Sequence, residues 1–423
     1  MRISELYQHF KNSSGVTTDS RNIQQGTIFF ALKGANFNGN LFAEEALAKG
    51  ANFAVVDEQQ FAENDKILLV ENVLETLQQL ALFHRKKFFG KVIALTGSNG
   101  KTTTKELVAA VLATNFSTRA TKGNLNNHIG IPLTLLSISA ETEFAIIEMG
   151  ANHQKEIESY CKYVDPDFGL ITNVGMAHLE GFGGFEGVVK GKTELYRYLS
   201  SAGGKIFLNS NNEILSAKAA EAGFSSSDIV TYGTKENSFC HAQLTEGEFL
   251  SFSLESQKIH TNLVGNYNFE NALAACCIGK YFGVEFQKVK TALENYVPAN
   301  NRSQQIVKDG NAIILDCYNA NPSSMKAAIE SFAKSEYTTK VVILGGMKEM
   351  GESSASVHAE IAALVKEKHF AQVIFVGKEF GSVDFGKKFE TTEAAQTWIA
   401  NQKFNNVHIL VKGSRAYQLE KLF

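Results

Sequence analysis

An α/β protein of three domains is the fold class this sequence predicts, and three observations point to it. The chain has 423 residues, more than one ordinary domain of about 100–200 residues holds. Short apolar runs ending in glycine or polar residues recur along it and alternate with stretches of helical spacing, as parallel strands buried beneath helices do. Each of its four prolines falls at a join: Pro132 after NNHIGI, Pro166 before FGLITNV, Pro298 in YVPANNRS and Pro322 in YNANPSS.

Taken in order, residues 1–88 read as a small α/β domain, with short strands in GTIFFALKG and ANFAVVDE around a helix at LFAEEALAKG. Residues 89–296 form a second α/β domain, whose runs VIALTG, FAIIEMG and FGLITNVG are apolar throughout. A helix follows the first of these, because Leu107, Val108, Val111 and Leu112 recur at helical spacing. Residues 297–423 read as a doubly wound third domain, with strands at 312–316, 340–345, 372–377 and 407–413. Helical patterns separate them at SSMKAAIESFAKS, SVHAEIAALVKEK and TTEAAQTWIANQ, with a last one at RAYQLEKLF. No G-x-G-x-x-G follows any strand of the third domain, so a nicotinamide or flavin site there is not supported.

Composition excludes several classes of function. Hydrophobic residues make up 44% and charged residues 20%, a balance that builds cores rather than disorder. With 41 basic against 44 acidic residues and a net charge of -3, the chain has no footprint for nucleic acid. The start, MRISELYQHFKNSS, lacks the apolar core of a signal peptide, and no stretch approaches a membrane span. Five cysteines show neither CxxC nor metal spacing, so reduced, mostly buried thiols and a cytoplasmic protein are expected.

The most informative join is KVIALTGSNGKTTTKEL, residues 91–107. A plain strand-to-helix turn would not need Lys-Thr after its second glycine. A cradle for phosphate would: backbone N–H groups and the positive helix end hold the oxygens, and glycines let the backbone approach. Lys101 supplies a mobile positive charge, and the Thr102 hydroxyl can ligate Mg²⁺. The loop is shorter than the usual G-x-x-x-x-G-K-[ST], because Gly97 lies only three residues before Gly100.

Ligands of open α/β sheets gather at the carboxyl ends of strands, which directs attention to three more residues. Glu148 ends FAIIE and is either a Mg²⁺ ligand or a solvated strand terminus. His178 follows the third run and is either a metal ligand or an ordinary surface or core histidine. Lys192, in VVKGKTELY, reads by default as a solvated helix lysine.

Together these pieces resemble the Mur ligases of bacterial peptidoglycan precursor synthesis. The resemblance runs through TGSNGKTTTKE, KGNLNNHIGIPLTLL, IIEMGANHQKEI, ITNVGMAHLEGFG, GKTELY, GNYNFENALAA, NRSQQI and LVKGSR. Within the family, DCYNANPSSMKAAI and EMGANH are similar to the enzyme of the last cytoplasmic amino-acid-adding step. The resemblance implies a first domain that binds the UDP end of the precursor through Ser20, Arg21, Lys33 and Gly34. It implies a central P-loop ATPase-like domain and a C-terminal Rossmann-like domain that brings a dipeptide. Gly97, Ser98, Asn99, Gly100, Lys101, Thr102 and Thr103 become the ATP phosphate loop. Thr102, Glu148 and His178 become Mg²⁺ ligands, joined by Lys192 as a carbamate. Asn268 and Asn271 match residues near the adenine, Arg302 the inter-domain arginine, and Asp316, Asn319 and Asn321 the dipeptide signature. Lys101, Lys192, His178 and Arg302 are then the catalytic set. The substrates implied are small molecules: ATP, UDP-N-acetylmuramoyl-tripeptide and D-Ala-D-Ala, acted on by a monomer. A sister ligase of the family, such as the tripeptide-forming one, and a non-catalytic nucleotide-binding relative are the alternative readings.

Three departures from the family pattern stand out. Asn38-Gly39-Asn40 replaces Asp-Gly-His, Gly346 replaces the aspartate of Leu-Gly-Asp-Met, and Tyr267 stands where a histidine is common. They put in question the uridine contacts, a carboxylate of the third domain and the shape of the adenine pocket.

Overall fold

The computed structural model describes every residue of the chain except Lys403. Among the described residues the strands form a four-stranded, a nine-stranded and a six-stranded sheet, plus a two-stranded hairpin of Lys33–Gly34 with Phe37–Asn38. The first sheet is parallel and runs Val16–Thr17, Ile28–Phe30, Phe53–Val56, Ile67–Leu69.

In the second sheet Lys91–Thr96 lies between Phe168–Ile171 and Phe144–Glu148, all parallel. Its side chains are buried from Val92 onward, because helices cover both faces and every position must be apolar. The sheet continues from Phe168–Ile171 through Lys205–Asn209 and Ile229–Gly233 to an antiparallel meander of Cys240–Thr245, Ser251–Leu254 and Gln257–His260. Burial alternates at the start of Cys240–Thr245, as expected where one face meets solvent. The chain reverses its winding at Lys91–Thr96, since successive strands go to opposite sides of it. Such a switch point opens a crevice at the strands' carboxyl ends.

The third sheet runs Gln304–Lys308, Asn311–Asp316, His408–Lys412, Lys340–Gly345, Gln372–Val376, Lys387–Phe389, with only its first pairing antiparallel. The expected helices occur at Pro322–Lys334, Ser354–Glu367 and Thr392–Ala400. The last helical pattern instead gives two short 3₁₀ turns, Arg415–Tyr417 and Leu419–Leu422. Gln418 between them is left-handed at φ 46°, which interrupts a helix.

The first domain is tied firmly to the second. Helix Val73–Arg85 buries Leu77, Leu80 and Ala81 in a core that also contains Val92, Ala94 and Ile157 of the central domain. Arg85, buried, donates to the Val164 and Asp165 carbonyls at 3.2 and 2.8 Å and to Asp167 Oδ2 at 3.1 Å. The third domain has largely its own cores, touching the central domain through Val264, Phe249 and Tyr267. Its linker holds Asn300, Asn301 and Ser303 at φ 60°, 57° and 48°, left-handed conformations that concentrate where a chain must turn sharply. Among the described residues no helix is long and apolar enough to cross a membrane. All five cysteines are buried and unpaired.

Candidate active site

Strand Lys91–Thr96 delivers the chain into the loop, and helix Lys101–Leu112 leaves it. Gly97 and Gly100 sit at φ 145° and 77°, both in the region that favours glycine. Space demands glycine as well: a Cβ on Gly97 would lie 2.0 Å from Thr172 Oγ1, and one on Gly100 2.3 Å from Asn271 Oδ1. Gly100 caps the helix with no side chain, so the first-turn N–H groups point outward unclaimed by a cap. Two loop N–H groups are committed elsewhere. Ser98 N–H donates to Asn173 O and Asn99 N–H to Asn173 Oδ1, each at 3.0 Å. Thr172 Oγ1 donates to Asn99 O at 2.6 Å. The uncommitted donors are therefore those of the helix start, while the loop's first half is pinned to the segment after Phe168–Ile171.

Lys101 Nζ donates to the Gly97 and Ser98 carbonyls at 2.6 and 3.1 Å. Burial pushes its pKa down to about 8 against the pull of Glu148, with the charge of Arg302 acting in the same direction as burial. Arg302 stacks on Tyr318, its guanidinium carbon 3.8 Å from the ring centroid. Two cations from different domains thus face one space, an arrangement that suits a polyanion.

Glu148 is not the solvated strand terminus allowed by the sequence: it is 1% exposed. Its Oε1 accepts from Thr102 Oγ1 at 3.1 Å and from Asn126 Nδ2 at 2.8 Å. Its Oε2 is buried with no hydrogen-bond partner, and the nearest ammonium, that of Lys105, is 3.8 Å away. An orphaned carboxylate oxygen beside a threonine hydroxyl is a hard-oxygen pair that fits a divalent cation. His178, left-handed at φ 53°, donates from Nδ1 to Glu349 of the third domain. That bond holds the Glu349 carboxyl below its ordinary pKa. Among the described residues no three His, Cys, Asp or Glu side chains converge as a metal-binding group.

Lys192 is not a solvated helix lysine either. It is 0% exposed, donates to Ala151 O at 3.0 Å and lies 4.9 Å from the Phe182 ring centroid. Burial drives its pKa well below the ordinary lysine value, aided by the charge of Lys101.

Lys101, Thr102, Glu148, His178, Asn271, Arg302 and Asn319 line one cavity of about 1050 Å³, at or above the upper end of single small-ligand pockets of about 300–1,000 Å³. Asn268, Asp316 and Asn321 line it too. Asn271 accepts from Thr104 Oγ1 and donates to Asn268 Oδ1, both at 3.0 Å, which braces the loop helix. Asp316 pairs with buried Lys412 at 2.6 Å. Asn321 caps helix Pro322–Lys334 through Ser324 N–H at 2.9 Å and donates to Asn99 Oδ1 at 2.7 Å. Among the described residues Asn319 Oδ1 accepts a single short-range bond, from Ala320 N–H at 2.9 Å.

Ser20, Arg21, Lys33 and Gly34 belong to the first domain and are not in this cavity's lining. Arg21 folds onto Asp19 at 2.9 Å, and Lys33 pairs with Asp57 at 2.9 Å. The departure at Asn40 has a structural account. Asn40, 1% exposed, donates to Asp57 Oδ1 and accepts from Asp57 N–H, both at 3.0 Å. An amide can do both at once, so Asn40 fixes the carboxylate that holds Lys33. At Gly346 a Cβ would come within 2.5 Å of Glu379 Oε2, so the carboxylate missing from position 346 is replaced in space by Glu379. Tyr267 bonds through its hydroxyl to Ser303 Oγ at 2.9 Å, linking central domain to linker.

Asn126, Thr172, Asn173 and Glu349 join the site without a motif role of their own in the sequence. The first three lie inside KGNLNNHIG and ITNVG, and the available signal was the run of asparagines in the one and the Thr-Asn directly after strand Phe168–Ile171 in the other.

Residues 12–89, 95–279 and 301–415 match, respectively, the sequence models described as Mur ligase family, catalytic domain; Mur ligase middle domain; and Mur ligase, glutamate ligase domain. The UDP-N-acetylmuramoyl-tripeptide–D-alanyl-D-alanine ligase of Bacillus subtilis (strain 168) is 33% identical over 426 residues, covering 96% of this chain and 92% of that protein. The protein of the same name from Escherichia coli (strain K12) is 33% identical over 432 residues, with 96% and 92% covered. Among solved structures, MurF from Acinetobacter baumannii superposes with a TM-score of 0.86 at 31% identity, over 98% of this chain and 97% of that one. The MurF ligase from Thermotoga maritima, in complex with ADP, gives 0.85 at 26% identity over 97% and 96%.

Proposed function

The chain belongs to the Mur ligase family, and from that premise we propose that it joins D-Ala-D-Ala to UDP-N-acetylmuramoyl-tripeptide at the expense of ATP, releasing ADP and phosphate. The observation that carries this reading is the shared cavity, in which the loop lysine Lys101, the linker arginine Arg302 and Asn319 of the third domain meet.

A carboxylate does not condense with an amine at neutral pH, because its oxygen leaves poorly. In the proposed reaction the tripeptide's terminal carboxylate oxygen bonds to the γ-phosphorus of ATP as the bond to ADP breaks. The dipeptide amine then attacks the acyl carbon, phosphate leaves, and the amine's proton passes to solvent. Such chemistry needs positioning and positive charge rather than a protein nucleophile. Lys101 and Arg302 supply the charge, and the helix start after Gly100 supplies N–H donors. Asn319 and Asp316 are suited to a zwitterionic dipeptide, while Asn268 and Asn271 shape the nucleotide side of the cavity. Asn321, tied to Asn99 of the loop, bears on both substrates. In the first domain Ser20, Arg21, Lys33 and Gly34 are the proposed UDP contacts.

Mg²⁺, held by Thr102 and Glu148 with His178 and a Lys192 carbamate, would offset the charge of the phosphates. Lys192 fits the carbamate because burial favours the uncharged form of its amine, the form that is nucleophilic toward CO₂. The new N–C bond releases a proton and turns the site anionic. We read the enzyme as a cytoplasmic monomer, since one chain furnishes the whole cavity and cytoplasm supplies ATP. The test is phosphate release from ATP with UDP-N-acetylmuramoyl-tripeptide, with and without D-Ala-D-Ala. Sustained release should require all three; release independent of the dipeptide would overturn the assignment.

A further inference from the structure

His178 stands at the boundary of the central and third domains, in the loop that follows strand Phe168–Ile171. The two nitrogens of an imidazole are not equivalent: whichever holds the proton is set by the bond the other partner makes. Here Nδ1 donates to the carboxylate of Glu349, which in the neutral ring leaves Nε2 as the lone-pair nitrogen of a side chain that lines the cavity described above. Ligating histidines characteristically hold their second nitrogen in this way, against a carboxylate.

Glu349 comes from another domain, in the loop after strand Lys340–Gly345. It reaches His178 only while the third domain is docked. The docking is specific at this point. Met176 N–H donates to Ser323 Oγ at 3.1 Å, and Asn321 Nδ2 donates to Asn99 Oδ1 at 2.7 Å. A Cβ on Gly175 would lie 2.9 Å from Ser323 Oγ, so the approach is as close as a glycine permits. Both His178 and Glu349 are left-handed, at φ 53° and 64°, conformations retained where surrounding structure requires them.

We propose that Glu349 is a positioning residue for His178, so that docking of the third domain fixes the imidazole tautomer and completes the cation site. This rests on the metal role proposed above for His178. The dipeptide-carrying domain thereby governs readiness for phosphoryl transfer, and the cation site is matured by closure rather than standing ready in the open enzyme.

The test is a Mn²⁺ titration of the full-length enzyme with a non-hydrolysable ATP analogue, followed by electron paramagnetic resonance. The variants are His178→Ala, Glu349→Ala, Glu349→Gln and the His178→Ala/Glu349→Ala pair. The Glu349 side chain is 54% exposed, so its removal should leave the fold intact, as thermal unfolding would verify. Glu349→Ala should weaken Mn²⁺ binding about tenfold. Glu349→Gln should recover most of that, because its carbonyl oxygen still accepts from Nδ1. In the His178→Ala background, loss of Glu349 should have no further effect. Weak binding in His178→Ala with wild-type binding in Glu349→Ala would overturn this proposal alone. Additive losses in the pair would also overturn it, as Glu349 would then act independently of His178. Wild-type binding in His178→Ala would remove the metal assignment itself.

Discussion

Two substitutions at Lys192 should part its chemistry from its packing. The side chain is 0% exposed, its amine 3.0 Å from Ala151 O and 4.9 Å from the Phe182 ring centroid. Lys192→Met keeps an apolar stem of similar length on that ring and removes the amine. The lost hydrogen bond costs about 1 kcal/mol, and relief from burying a basic nitrogen offsets it. Stability should therefore stay within about 1 kcal/mol of wild type. Lys192→Ala removes three methylenes at about 0.8 kcal/mol each, roughly 2.5 kcal/mol, and leaves a void that adds to the loss. Phosphate release should fall by at least about 100-fold in both, the scale of losing one charge-stabilising group. A short carboxylic acid such as acetate should restore part of the activity in Lys192→Ala, which has room for it. It should restore none in Lys192→Met, where the stem fills the space. Denaturant melts and phosphate-release assays read both halves. Wild-type turnover in Lys192→Met would refute the carbamate reading and leave Lys192 a packing residue.

Other perturbations test neighbouring parts. Lys101 loses its charge as pH rises through about 8, so affinity for an ATP analogue should decline above that pH, and Lys101→Arg should flatten the decline; an unchanged limb in the variant would assign it to another group. Because the unfolded chain holds that proton to higher pH, the same depressed value makes stability rise with pH between about 8 and 10.5, measurable by urea titration. Gly97→Ala should destabilise by about 2–3 kcal/mol, from an unfavourable backbone and the broken Thr172–Asn99 bond, with nucleotide binding lost; normal binding would show that the loop can relax. Asn319→Ala should raise KM for D-Ala-D-Ala with little change in KM for ATP, whereas Asn321→Ala should lower Tm and disturb both. Reversed behaviour of the two asparagines would exchange their roles.

Much of the frame was readable because buried parallel strands announce themselves. Val92 to Leu95, Phe144 to Ile147 and Phe168 to Ile171 are apolar throughout, and each runs into a polar segment that reaches the cavity, at Ser98, Glu148 and Asn173. Burial was less readable. Local sequence leaves Glu148 open between a metal ligand and a solvated strand end and reads Lys192 as solvated, and only the neighbouring segments bury them. The cap at Asn321 was legible, since Asn-Pro-Ser-Ser before a helix signals one, but its bond to Asn99 depends on a pair 222 residues apart. Glu349 could not be found along the chain, because its partner lies 171 residues away in another domain. Glu379 filling the space over Gly346 is of the same kind: a substitution at one strand end answered from the next.

The proposed reaction turns on activation of the tripeptide's terminal carboxylate by ATP as an acyl phosphate. It is tested most directly by labelling that carboxylate with ¹⁸O and analysing the products by mass spectrometry. One ¹⁸O atom is expected in each released phosphate and one in the new amide, with the product mass equal to labelled tripeptide plus D-Ala-D-Ala less one H₂¹⁸O. Phosphate free of label, with all of it retained in the peptide or lost to solvent, would contradict the acyl-phosphate route.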